Sequence, residues 1–163
     1  MGMADVRERI AAILAAVEGV GNVHQYQRWS TDLNKFRELF KYQDSQGNES
    51  INGWIITRRS TAKREFTSSQ VQKVHLFEIR GYLGMQDSGA TELAFQDLLD
   101  DIETAFDADY TLSGACETTT PEWGPGSGLA GLQIVDVDLR MFGGVLCHFA
   151  QCRMGVQEEP VDV

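Results

Sequence analysis

The run LQIVDVDLRMFGGVLCHFAQCRM, Leu132 to Met154, alternates apolar and polar residues on one side of a Gly143-Gly144 pair and resumes a strand-like run on the other. A period of two marks a strand that buries one face, and a Gly-Gly break between two such runs predicts a two-residue β-hairpin turn. Closing the hairpin there pairs Phe142 with Val145. Val135, Val137, Leu139 and Met141 then share a face with Leu146, His148, Ala150, Cys152 and Met154, while Ile134, Asp136, Asp138 and Arg140 take the opposite face. The apolar sets of the two strands coincide, so register and burial reinforce each other.

The best-defined helix precedes this hairpin. In SGATELAFQDLLDDIETAFD, Ser88 to Asp107, the residues Phe95, Leu98, Leu99, Ile102 and Phe106 recur at helical spacing. Glu92, Gln96, Asp100, Glu103 and Asp107 line the other side, and Ser88 or Thr91 is placed to cap the first turn. A first helix is predicted from about Asp5 to Val17, with Asp5 and Glu8 in capping-box relation and Gly19 as its stop. Val20 to Trp29 reads as a strand or extended connector. Ser30, Thr31 and Asp32 offer caps for a short helix through about Lys41, whose Leu33, Phe36 and Phe40 belong to a core.

Ile51 to Arg58 carries apolar residues on both faces, Ile51 and Ile55 on one, Trp54 and Ile56 on the other, which fits a central strand covered on two sides. In Val71 to Leu83, His75, Phe77, Ile79 and Leu83 share a face. The polar, basic segment between them is read as a long projecting loop, residues 58–70, mobile until something binds it. Residues 108–131 form a second long loop, in which Trp123 is either a plug folded onto the core or an anchor for a partner. Residues 157–163 are expected to be a flexible acidic tail. The fold class is therefore α+β: one domain, 1–163, with a mostly antiparallel β-sheet, flanking α-helices, β-hairpins and one long projecting loop.

Charge is unevenly spread. The net charge is −10, but Met1 to Arg80 holds 12 Lys and Arg against 9 Asp and Glu, whereas Gly81 to Val163 holds 2 against 15. One half is +3 and the other −13. The asymmetry admits a solvated acidic surface or a self-complementary one, with the basic patch of one copy meeting the acidic helix of the next. So acidic a surface disfavours general nucleic-acid binding. No run reaches membrane-span length and no signal-peptide pattern opens the chain, so a soluble, unexported protein is expected. Three cysteines, Cys116, Cys147 and Cys152, argue against a disulfide framework.

Motifs that carry chemistry find little support. Gly126, Gly128 and Gly131 spell G-x-G-x-x-G, but the segment precedes a strand, whereas dinucleotide binding needs it to follow one and open a helix. Cys147 and Cys152 point to opposite faces of one strand, and His148 lies about 13 Å from Cys152 at ~3.3 Å per residue, too far for one tetrahedral ion. No nucleophile elbow is present, and the carboxylate pairs lie on a solvated helix face. Neither an active site nor a metal or cofactor site is expected.

Four stretches, IAAILAAVEGVGNVHQYQRW (10–29), INGWIITRRS (51–60), ELAFQDLLDDIETAFDAD followed by YTLSG (92–114) and GGVLCHFAQCRMGVQEE (143–159), together resemble the tail terminator, or tail completion, proteins of long-tailed bacteriophages and prophages. The resemblance spans most of the chain but not Pro121 to Gly128. It implies a non-enzymatic virion protein at the tail-neck junction, assembled in the host cytoplasm. Such a subunit forms a ring, typically hexameric, that caps the head-proximal end of the tail tube, ends its polymerisation and meets the head connector. DNA passes through without sequence-specific binding, and no membrane is involved. With that reading, Arg58, Arg59, Lys63 and Arg64 are expected to bind a partner, and Glu92, Asp100 and Glu103 to lie at a subunit interface. A head-closure, neck or minor tail protein is the alternative within the virion, and a small cytoplasmic enzyme the alternative outside it.

Overall fold

Register in the C-terminal hairpin follows the alternation. A computed structural model describes residues 2–28, 32–43, 47, 49–85 and 90–163. Strands β5 (Gln133–Phe142) and β6 (Val145–Gln157) pair antiparallel, with Phe142 opposite Val145, Leu139 opposite His148 and Val137 opposite Ala150. Gly143 and Gly144 take φ of 58° and 79°, the left-handed values that a type I′ turn demands. A bulge between Ile134 and Asp136 then corrects one expectation. It brings Ile134, not Val135, onto the core side opposite Cys152, because one extra residue reverses the facing of those before it.

The described residues form a seven-stranded, mostly antiparallel sheet and three helices. The order is β1 (Asn22–His24), β3 (Glu49–Thr67), β4 (Gln70–Gly84), β6, β5; β2 (Lys41–Gln43) also pairs with β3, and β7 (Val161–Asp162) with β4. β1 runs parallel to β3 and every other pair is antiparallel.

As the two-faced pattern of Ile51 to Arg58 requires, β3 serves two cores. On one face Trp54 and Ile56 join Ile79, Ala150, Cys152 and Met154 beneath α1 (Met3–Ala15) and α3 (Thr91–Asp107). The predicted stripe Phe95, Leu98, Leu99, Ile102 and Phe106 is the buried face of α3. On the other face Ile51 and Ile55 join Phe40, Tyr82, Phe142 and Phe149, with Phe36 of α2 (Leu33–Glu38) packed against them. Asp32 caps α2 by accepting from the backbone N–H groups of Asn34 and Lys35; Ser30 and Thr31 lie outside the described residues.

Two caps differ from expectation. Asp5 accepts from the Gly2 backbone N–H at 3.2 Å, so the α1 cap reaches back to Gly2 and does not involve Glu8. Ala90, at φ 51°, occupies the α3 cap position, and Thr91 is the first helical residue; Ser88 lies outside the described residues.

The long loop folds back on the sheet. Residues 108–131 contain no helix or extended strand, but Thr118 bridges Gln157 and Pro121 sits over Gly155. Trp123 is half-buried and its indole N–H donates to Gln72 Oε1 at 2.9 Å, which makes it a plug against the sheet.

At the middle of the sheet, the Trp54 ring fills the space a side chain at Gly81 would occupy: a Cβ there would come within 2.2 to 2.6 Å of three ring atoms. The fully buried indole has nowhere to move. Gly81→Ala is expected to lower stability by about 1–3 kcal/mol, the usual cost of overpacking a core, read as a reduced urea midpoint. An unchanged midpoint would contradict this packing.

Candidate assembly surfaces

Strand β5 closes one side of the sheet, and its outer backbone edge is unpaired among the described residues. Pairing with β6 turns Val137, Leu139 and Met141 toward the helix-covered face, yet they remain 46%, 45% and 66% exposed. Leu146, opposite Met141, is exposed as well. The alternation located this face correctly, but it does not report that α3 covers β6 and leaves β5 open. A groove of about 600 Å³ runs between the first turns of α3 and β5. Leu93, Phe95, Val137, Leu139 and His148 are among its walls, and its charged members are Glu92 and Asp138. His148 is held there by a 2.8 Å contact of Nε2 with the Thr91 hydroxyl and by stacking on Phe95.

The charged residues of α3 are all acidic. Glu92, Asp97, Asp100, Asp101, Glu103 and Asp107 alternate with no Lys or Arg, and among the described residues none of them forms an ion pair within 4 Å. Asp97 with Asp101 and Glu103 with Asp107 are like charges four apart, each pair costing about 0.2–0.5 kcal/mol. Glu103 and Asp107 also oppose the negative end of the helix dipole. Glu92, Asp100 and Glu103, expected at an interface, therefore sit on a surface that a cationic neighbour would relieve.

The basic segment is not the loop its composition indicated. β3 runs on to Thr67 and β4 starts at Gln70, so residues 58–70 are a paired hairpin closed around Ser68 and Ser69. Its strands are held by cross-strand hydrogen bonds and the sheet, with little apolar burial to signal them. Two of its charges also find partners within the chain: Arg59 Nε lies 3.9 Å from Glu78, and Arg64 donates to Gln72 at 3.1 Å and stacks over Trp123 at 4.5 Å. Arg58 and Lys63 remain exposed without a carboxylate within 4 Å among the described residues. Lys63 stands directly opposite Lys73, an unfavourable like-charge pair. The tail corrects a second expectation. Val161 and Asp162 extend the sheet beside Val71 and Gln70, and Val163 N–H donates to Ser69 O at 2.9 Å.

Two polar centres escaped the sequence reading. Glu78, 5% exposed, accepts from Gln151 at 2.7 Å and lies within 4 Å of Arg59, Arg80 and Arg153, tying three strands through one buried carboxylate. Only its position in a mixed-polarity strand hinted at it. His75 is buried between the Thr61 hydroxyl, 2.7 Å from Nδ1, and Glu158, 3.4 Å from Nε2. Burial pushes its pKa below the usual value, against the opposing pull of Glu158.

The cysteines split as strand geometry requires: Cys147 packs in the aromatic cluster and Cys152 in the helix-covered core. Among the described residues no three His, Cys, Asp or Glu side chains are placed to hold a metal ion, and no helix is long and apolar enough to cross a membrane. Compared with protein-family models and with curated proteins, the chain matches none.

Burial pushes the thiols of Cys116 and Cys152 up to about 12 and that of Cys147 to about 11. A protonated, buried thiol is a poor nucleophile. Ellman titration at pH 8 is expected to find all three thiols only after denaturant is added; a fast-reacting thiol in native protein would contradict the burial.

Proposed function

We propose that the chain is a structural subunit that assembles with copies of itself into a ring, probing no substrate and needing no cofactor, and that this ring is the tail terminator of a long-tailed phage or prophage. The observation that carries self-assembly is the apolar stripe Val137, Leu139 and Met141, exposed on an open-edged strand beside a helix whose charged residues are all acidic. Contiguous exposed apolar side chains rimmed by charge mark interaction surfaces. The specific role rests on the resemblance of residues 10–29, 51–60, 92–114 and 143–159 to tail terminators. In this reading the ring ends tube growth, presents one face to the tail tube protein and the other to the head connector, and lets DNA through.

Subunit contacts place Glu92, Asp100 and Glu103 of one copy against basic residues of the next, chiefly Arg58 and Lys63, since Arg59 and Arg64 have partners of their own. An exposed ion pair contributes about 0–1 kcal/mol, so such pairs orient a contact that apolar burial stabilises.

Electron microscopy of tails assembled without the chain tests the reading. Overlong, headless tails are expected. Tails of normal length with unattached heads would reassign the chain to the neck. Asp100→Lys with Glu103→Lys is expected to abolish rings while leaving the thermal unfolding of the monomer intact, and intact rings would remove the electrostatic part of the account.

A further inference from the structure

Resting on the ring-forming reading, we infer that the groove between α3 and β5 receives the tip of the β3–β4 hairpin of a neighbouring copy, with Phe66 as its anchor. Phe66 is the one aromatic residue between Arg58 and Gln70 and is 50% exposed at the end of an otherwise polar hairpin. Burying an aromatic ring is the largest single apolar gain such a tip could make. The groove offers a matching surface, because Leu93, Val137 and Leu139 are all about half exposed or more.

The lysines of the hairpin fit the same partner, although Glu65 and Asp162 beside its tip are acidic. The carboxylates lining the groove are Glu92 and Asp138, and no Lys or Arg lines it. On the hairpin, Lys63 and Lys73 face each other across the strands without a carboxylate within 4 Å among the described residues. Acid beside the groove would relieve that repulsion, and the lysines would relieve α3.

Geometry makes the contact intermolecular. Gln70 lies at the hairpin tip and Leu83, on the same strand, pairs with His148 in the groove wall. The thirteen residue steps from one to the other span about 43 Å of continuous sheet at ~3.3 Å per residue, so a hairpin cannot reach its own groove. Two different surfaces at opposite ends of one subunit allow a head-to-tail contact, which closes into a ring when the rotation permits; a reciprocal two-fold dimer, tip to groove twice, is the other closure, and the mass of the wild-type oligomer separates the two.

Two variants test this. A tip variant carries Phe66→Ser and Lys63→Glu, and a groove variant carries Leu93→Asp and Leu139→Asp; all four positions are exposed, and Phe66→Ala alone serves as the milder tip change. Light scattering is expected to find wild-type oligomers, each variant monomeric, and an equimolar mixture of the two forming dimers and nothing larger. The dimer arises because the mixture retains one intact tip and one intact groove per pair. Wild-type protein that stays monomeric, a tip variant that assembles like wild type, or a mixture that stays monomeric would each overturn the inference. Closed rings formed by the tip variant would remove this contact and leave the ring reading standing, whereas normal-length tails without the chain would remove the terminator role and leave the contact standing.

Discussion

Trp54 lying across Gly81 is the contact on which the rest of the structure depends. The ring occupies the space left by the missing side chain, stacks against Phe95 of α3 at 6.2 Å, and donates its N–H to Asn52 Oδ1 at 2.8 Å. Asn52 in turn donates to Gly19 O and accepts from Gly21 N–H, which ties the turn after α1 to the same strand. One indole thus sets the height of α3 above the sheet and the position at which α1 hands the chain to β1. A buried polar cluster of this kind is stabilising because every donor in it finds an acceptor.

With α3 fixed above β4 and β6, the outer strand β5 lies beyond its cover. That placement leaves the apolar side chains of β5 facing solvent on one side of the molecule, while the long β3–β4 hairpin carries exposed base to the far end. Among the described residues the folded monomer therefore keeps unfavourable terms: an acidic helix with no cation within 4 Å of its carboxylates, two opposed lysines, and a half-exposed aromatic tip. Arg59 and Arg64 show that the chain does pair hairpin charges when partners are close, through Glu78, Gln72 and Trp123. The unpaired remainder is consistent with a surface completed by another copy.

The sequence made the apolar geometry legible and hid what polar pairing decides. Phe142 opposite Val145, the split of Ile51 and Ile55 from Trp54 and Ile56, and the buried stripe of α3 all followed from periodicity, since burial repeats with the backbone. Residues 58–70 carry the signature of a loop because the β3 arm of the hairpin is exposed on both faces and shows no apolar alternation, and residues 157–163 that of a frayed tail because two residues of pairing leave no pattern at all. The bulge before Asp136 shifted Ile134 inward with no Gly or Pro to announce it. Of the candidate interface, α3's acid was visible in advance, whereas the openness of β5 depended on how far a helix reaches across a sheet.

The most direct test of the account is disulfide trapping between Phe66→Cys and Leu93→Cys introduced together, since the three native thiols are buried. Mild oxidation of wild-type-like assemblies is predicted to give a ladder of covalent oligomers that stops at one closed ring, with no bond formed within a single copy. Absence of intermolecular species, or a ladder that continues without a limit, would contradict a ring built by hairpin tips seated in neighbouring grooves.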